Sequence, residues 1–154
     1  MDEKKLSIPP ENDRLKASDL RQRIIDKEIE KAKEAAAKLR LEDDDKRRAH
    51  DEFMEKTFSD EDRLRFRRLA EIAADQGRFE LELVKFPAEY LSDGGRRINN
   101  AESDWPVSLV GYAKSLYDAY DKLGGREAGY HLVPRVLNYP NGMIGEVGLY
   151  LSWK

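Results

Sequence analysis

Hydrophobic and polar positions follow three successive patterns along the chain, and the first is helical. From Ser18 onward, apolar residues recur at alternating steps of four and three: Ile25, Ile29, Ala32, Ala36 and Leu39. We call these five residues the heptad row, because this spacing is typical of the seam along which one helix pairs with another. The row is short, so a solvated helix lying on its own domain is an equally good interpretation.

A run of four carboxylates, Glu42–Asp45, falls inside this helical segment. Neighbouring like charges weaken a helix, so we expect the run to weaken or interrupt it. The basic residues of Lys46–Arg48 follow one turn later and can pair with the carboxylates. The pattern therefore predicts a long helix, straight or kinked at the run, that ends near Lys56.

A second helix is predicted after Ser59. Ser59 followed three residues later by Asp62 resembles a capping box, in which each side chain bonds the backbone amide of the other residue. One apolar face follows: Phe66, Leu69, Ala70 and Ala73. Gly77 is placed to end the helix.

After the second helix the period of the pattern changes to two. Phe79, Leu81 and Leu83 alternate with Glu80 and Glu82. This alternation is typical of a strand with one buried and one solvated face. The two glutamates share a face and can in principle act as an acid and a base, but solvation of the outer face is the simpler interpretation.

Two further strands are predicted over Tyr130–Tyr139 and Ile144–Trp153. The sequence Pro140-Asn141-Gly142 between them indicates a hairpin, because Asn-Gly accepts the positive φ angles of a type I′ turn. Pro134 cannot donate to a sheet ladder, so the second strand is expected to lie at an edge or to carry a bulge.

A third helix is predicted between the first two strands, with Pro106 at its start and Gly124-Gly125 at its end. Its apolar positions again step by four and three: Leu109, Ala113, Leu116, Tyr120 and Leu123. The order of elements predicts an α+β fold, with a charged N-terminal helical arm and a small three-stranded sheet packed with one or two helices. If the first two strands are parallel neighbours, their connection should be right-handed.

Charge divides the chain into two parts. Residues 1–78 hold 20 of the 28 Lys and Arg residues and 21 of the 31 Asp and Glu residues. We therefore predict a charged helical arm over residues 1–58, partly flexible, and a small α+β domain over residues 59–154. The polar segment Met1–Glu11 is expected to be a flexible or extended leader, and residues before Ser59 are expected to add little to the domain core.

Composition and charge argue against several classes of function. The net charge is -3, and neither part of the chain has the basic surface that non-specific nucleic-acid binding requires, so this function ranks low. The absence of cysteine removes disulfide and thiolate chemistry. No apolar stretch is long enough for a signal peptide or a membrane span, so we expect a cytoplasmic protein with no membrane association.

No motif indicates a metal or a cofactor. His50 and His131 stand alone, without the closely spaced ligands that a metal site requires. The common nucleophile, Walker and dinucleotide-binding signatures are absent. We therefore assign no catalytic residue, no metal ligand and no cofactor.

One loop carries candidate chemistry. It spans roughly 19 residues after the first strand and includes the sequence SDGGRRINN, which is long for a compact domain. A turn at Asp93, Gly94 and Gly95 can present backbone amides to a phosphate or carboxylate. The predicted ligand-binding set is Asp93, Gly94, Gly95, Arg96, Arg97, Asn99, Asn100 and Trp105.

The alternative is a structural turn. Asp93 then shapes the turn, and the arginines pair with Glu89 or Glu102 at the surface. The asparagines act as caps and Trp105 packs in the core.

Three functions follow in order of preference. The first is a non-enzymatic protein-interaction module, regulatory or adaptor in kind, that binds a protein partner or itself through the heptad row. The second is a small-molecule domain or enzyme that binds an anion at the SDGGRRINN loop. The third is a nucleic-acid accessory protein that uses four arginines of the second helix, Arg63, Arg65, Arg67 and Arg68, although nearby carboxylates offset their charge.

Overall fold

The computed structural model of the chain describes residues 6–154. The chain divides into two compact units, one ending at Arg47 and one running from Arg48 to Lys154. The fold is α+β, as predicted, with a long N-terminal helix, further helices and a three-stranded antiparallel sheet. The first residues of the predicted leader, Met1–Lys5, lie outside the described part.

Helix α1, Ala17–Glu55, supplies most of the first unit and continues into the second, and a single 3-10 turn at Glu11–Asp13 precedes it. The helix is 39 residues long and continues through Glu42–Asp45 without a break. Arg47 pairs with Asp44 at a spacing of i and i+3, which offsets the like charges of the run. The acidic run therefore does not interrupt the helix.

The second unit starts with the end of α1 and with helix α2, Asp60–Asp75. Ser59 caps α2, and the predicted capping box with Asp62 is present. At the other end, the amide of Gly77 donates to Ala74 O at 2.9 Å and the amide of Arg78 donates to Ala73 O at 2.9 Å. This is a Schellman ending, and the glycine supplies its positive φ of 77°.

The sheet consists of β1, Glu80–Pro87, β2, His131–Val136, and β3, Glu146–Ser152. Its order is β1-β3-β2, and both pairings are antiparallel. The first two strands are therefore not neighbours, and the condition for a right-handed crossover is not met. Pro134 lies in β2, which is an edge strand as its proline predicts.

The turn between β2 and β3 has the predicted chemistry. Asn141 and Gly142 have positive φ angles of 53° and 77°. The amide of Met143 donates to Pro140 O at 3.0 Å and closes the turn. Asn-Gly thus occupies the two central positions that a type I′ turn requires.

Strand β1 differs from its prediction at both ends. Phe79 precedes the strand and is 57% exposed, whereas the strand continues to Pro87. The register shifts between Glu82 and Val84, so Leu83 falls at an irregularity and the simple alternation ends there.

The third predicted helix starts later than expected. The short helix α3, Arg96–Asn99, is followed by a separate 3-10 helix at Trp105–Ser108, and helix α4 runs from Gly111 to Lys122. Leu109 lies between them in an extended conformation and is buried. Gly111, the first residue of α4, has a φ of 55°, so right-handed helical geometry begins only after it. Gly124 and Gly125 end α4 with a second Schellman pattern of amide bonds to Asp121 O and Tyr120 O, as predicted.

The core of the second unit lies between one face of the sheet and the helices α2 and α4. Antiparallel pairing aligns Phe86, Val147 and Val136 across the three strands. Phe66 of α2 and Leu116 of α4 join the same buried cluster. Strands β2 and β3 therefore contribute alternate residues to the core, whereas β1 loses this alternation at its irregularity, where two neighbouring residues pack against the core.

The end of α1 belongs to this core. The ring of Phe53 lies 4.9 Å from that of Phe86 and 5.0 Å from that of Tyr90. The expectation that residues before Ser59 add little to the core is thus wrong for the last turns of α1. The boundary at residues 58 and 59, as the limit of an independently folding domain, stays a prediction.

Candidate functional site

The SDGGRRINN loop is folded rather than irregular. The connection between β1 and α4 contains a 3-10 turn at Ala88–Tyr90, the short helix α3 at Arg96–Asn99, and the 3-10 helix at Trp105–Ser108. Its unusual length therefore reflects three short helical elements.

Asp93 organises the loop from within. Its carboxylate accepts hydrogen bonds from the amide of Gly95 at 2.9 Å and from the amide of Arg97 at 3.0 Å. Burial raises the pKa of Asp93, but these amides and the guanidinium of Arg97 outweigh it and hold the pKa below its usual value. The amides expected to face an anionic ligand thus bind a carboxylate of the chain itself.

The backbone conformation of the loop explains its two glycines. Gly94 and Gly95 have φ angles of 68° and 93°. A Cβ on Gly95 would lie 3.2 Å from Ile144 Cγ2 and 3.3 Å from Ala88 Cβ. An added side chain at Gly95 would therefore press on Ile144 and Ala88, which would have to move by a few tenths of an ångström, and the positive φ is itself unfavourable for other residues.

Both loop arginines pair with carboxylates. Arg96 lies 3.4 Å from Glu102, the partner that the structural alternative named. Arg97 lies between Asp93 and Asp104, 3.2 Å from each, and its side chain is only 24% exposed. This ladder of ion pairs fixes α3 to the segment that follows it.

The other predicted ligand residues make structural contacts. Asn99 accepts a 2.6 Å hydrogen bond from the hydroxyl of Tyr139, and Asn100 ends α3 as its C-cap. Trp105 is partly buried and lies edge-on to Tyr117 at 5.8 Å. The structural alternative thus accounts for these contacts, while the anion-binding role of the loop stays a prediction.

The heptad row lies on an unbroken helix and is exposed. Ile25, Ile29 and Leu39 are 46%, 48% and 61% exposed, and the two alanines of the row are exposed as well. Every residue of α1 from Ala17 to Ala49 is exposed, and only the last turns of the helix are partly buried. The row is thus an apolar surface that this chain does not bury in the described residues.

The outer face of the sheet carries a paired charge network. Arg135 donates two hydrogen bonds to Glu80, one of them 2.7 Å long, and its guanidinium lies 4.4 Å from the ring centre of Tyr150. The hydroxyl of Tyr150 donates to Glu82 at 3.0 Å. The hydrogen bond from Arg135 lowers the pKa of Glu80, so this carboxylate is held ionised. An acid and base pair would need one of the two glutamates protonated, and this arrangement does not favour it.

Residues 6–154 contain no group of three or more His, Asp or Glu side chains placed to hold a metal ion. His50 lies edge-on to the ring of Tyr90 at 4.9 Å.

Within residues 6–154 no helix is both long and apolar enough to span a membrane.

The sequence reasoning missed a groove between α2 and α4 with a volume of about 570 Å³. We call it the α2–α4 groove. Small residues of the two helices, Ala70, Ala74 and Ala119, leave this space, and Leu83, Leu151 and Trp153 of the sheet side also line it. Alanines at facing positions of two predicted helices were the available signal, but the sequence alone does not place the helices side by side.

Comparisons with known proteins add no relationship: the chain matches no protein-family model, no curated protein and no solved structure.

Proposed function

We propose that this protein is a non-enzymatic interaction module that pairs through the heptad row of α1 with the same helix of a second copy. The observation that carries the proposal is the exposure of Ile25, Ile29 and Leu39 on a stretch of α1, residues 17–49, in which every residue is exposed. Burial of an Ile or Leu side chain is worth roughly 1.5–3 kcal/mol, which favours a partner that covers the row.

The charges beside the row support a parallel pair of identical helices. With Ile25 and Ala32 at heptad position d, Ile29 and Ala36 occupy position a. In a parallel dimer, position g of one helix faces the following e position of the other. These pairs are Arg21 with Asp26 and Glu28 with Lys33, and both combine opposite charges.

Sedimentation equilibrium of the full chain over a range of concentrations tests the proposal. The wild type should show a reversible monomer and dimer equilibrium, and the double substitution Ile25→Asp with Ile29→Asp should abolish it. Two matched variants distinguish the effect of position on the helix from the effect of an added charge. Ala36→Asp places a carboxylate on the heptad row, and Ala37→Asp places the same group one residue outside it. The proposal is rejected if the wild type does not associate. It is also rejected if Ala36→Asp and Ala37→Asp associate equally.

The proposal includes a regulatory or adaptor role and a cytoplasmic location. The lack of cysteine is compatible with a reducing compartment. The second candidate, an anion site at the SDGGRRINN loop, has less support because Arg97 is already paired with two carboxylates.

A further inference from the structure

The α2–α4 groove has the size and lining of a small-molecule site. Its volume of about 570 Å³ falls within the range of roughly 300–1,000 Å³ that is usual for such sites. One wall is α2, the other is α4 with the glycine-rich segment after it, and residues of the sheet form the floor. All of these elements belong to the second compact unit.

The floor and the α4 wall offer almost only apolar contact. Leu83, Leu151 and Trp153 line the floor, and the α4 wall consists mainly of aliphatic side chains and glycines. The hydroxyl of Tyr120 donates to Tyr130 O at 2.6 Å, so this polar group is satisfied within the chain. A ligand therefore needs an apolar body at this position, because a polar one would lose hydrogen bonds to water without replacement.

Cationic groups are confined to the α2 wall. Arg63 and Arg67 are one helical turn apart, and Glu71 is the single acidic lining residue, so the charged lining sums to +1. Arg63 lies 3.7 Å from Asp60, whose side chain is 95% exposed, and Arg67 lies 3.5 Å from Glu71. Exposed pairs of this kind contribute little, so a ligand carboxylate can replace either one.

We propose that the α2–α4 groove binds a free single-chain carboxylic acid. Its carboxylate is held by Arg63 and Arg67, and its chain lies over the floor towards Trp153. From the midpoint between the two arginines to Ala74, α2 extends about 13 Å at 1.5 Å per residue, which is close to the extended length of the dodecanoate chain.

The asymmetry of the groove favours this ligand over a docked protein helix. An amphipathic helix in a groove places polar flanks along both edges of its apolar stripe. Here α2 supplies all of the charged lining residues, while the opposite wall ends in Gly124, Gly125 and Ala128. One charge at one side fits a monoanion with a single head group.

Trp153 provides a reporter within the groove. The chain has two tryptophans, and Trp105 packs against Tyr117 elsewhere. In a full-length Trp105→Phe variant, Trp153 is thus the one tryptophan. Titration with dodecanoate below its micelle concentration should give a saturable shift of the Trp153 emission to shorter wavelength, with one ligand bound per chain by calorimetry.

Two substitutions and one ligand change test the assigned contacts. Arg63→Gln with Arg67→Gln should weaken dodecanoate binding tenfold or more, whereas Arg68→Gln, on the same helix but outside the lining, should leave it unchanged. Dodecanol should bind the wild type more weakly than dodecanoate and should not respond to the arginine substitutions. Ala119→Trp should fill the groove and remove binding of both compounds.

Three results overturn the proposal. The first is absence of saturable dodecanoate binding by the wild type. The second is equal affinity of the wild type and the double arginine variant, since the carboxylate then lies elsewhere. The third is a shift of the Trp153 emission when an amphipathic helical peptide is added but not when dodecanoate is added. That result would make the groove a helix-docking site. The arginine variants keep the test decisive if Ala119→Trp does not fold.

Discussion

The hydroxyl of Tyr112 donates a hydrogen bond of 3.0 Å to the carboxylate of Asp62 and thereby joins α4 to the start of α2. Both residues are buried. Asp62 also accepts a hydrogen bond from the amide of Ser59 at 3.3 Å and pairs with Arg65 at 3.0 Å. One side chain thus closes the capping box and anchors a second helix.

Removal of this hydrogen bond should destabilise the second unit. We expect Tyr112→Phe to lower the free energy of unfolding by about 1.5–3 kcal/mol, because the lost bond is buried and charge-assisted. Asp62→Asn should also destabilise, and the double variant should lose less than the sum of the two. Urea unfolding followed by circular dichroism measures all three. Asp60→Asn, at the exposed start of the same helix, is the control, and additive losses would contradict the coupling.

Stability should fall at acid pH in a way that depends on Asp62. Burial raises the pKa of Asp62, but the hydrogen bonds from Tyr112 and Ser59, with Arg65 and Lys56, place it below the ordinary value of 3.8. Because the pKa of Asp62 is lowered in the folded state, the ionised carboxylate stabilises the fold fully at pH values well above 3.8. This stabilisation is lost as pH falls through the pKa of the folded state.

Urea unfolding of the wild type and of Asp62→Asn at a series of pH values checks this dependence. The two curves should approach each other below the ordinary carboxyl pKa and separate above it. A constant difference at every pH would contradict the assignment to the Asp62 carboxylate.

Gly111 should tolerate no side chain. A Cβ there would lie 2.6 Å from Phe53 O and 2.8 Å from Met54 Cα, and the φ of 55° is itself unfavourable for other residues. We expect Gly111→Ala to cost clearly more than the roughly 1 kcal/mol of backbone strain alone. Gly129→Ala is the matched control, since Gly129 also has a positive φ but no atom within 4 Å of the added Cβ. Equal melting temperatures of the two variants would contradict the close approach.

The last turns of α1 should be required for a stable second unit. A fragment of residues 48–154 retains Phe53 and its contacts with Phe86 and Tyr90, whereas a fragment of residues 59–154 loses them. Loss of a core-packed aromatic ring costs about 2 kcal/mol or more. The longer fragment should therefore melt cooperatively at a higher temperature in calorimetry. Identical transitions would support the boundary at residues 58 and 59 instead.

Much of the fold was predictable because its signals are local. The cap at Ser59, the glycine endings at Gly77 and Gly124, and the Asn-Gly turn each depend on residues a few positions apart. The sheet order was not predictable in this way. Pairing of β1 with β3 depends on packing between distant segments, and no local pattern states it.

The SDGGRRINN loop illustrates a second limit. Its residue types fit an anion site and a self-contained turn equally well, because both use carboxylates, amides and guanidinium groups. Which of the two forms depends on the carboxylates that lie near the arginines in the fold. In this chain Asp93, Asp104 and Glu102 supply those carboxylates, so the arginines pair within the protein. The α2–α4 groove was missed for a related reason, since a gap between helices leaves no motif in either one.

Cross-linking at the heptad row tests the central claim most directly. The chain contains no cysteine, so a single Ala32→Cys substitution places one thiol at a d position of the proposed parallel dimer. Mild oxidation should convert most of this variant to a disulfide-linked dimer, because equivalent d positions of a parallel pair face each other. Ala37→Cys, outside the row, should remain mostly monomeric under the same conditions. A monomeric Ala32→Cys chain after oxidation, or equal cross-linking of the two variants, would contradict pairing of α1 through the heptad row.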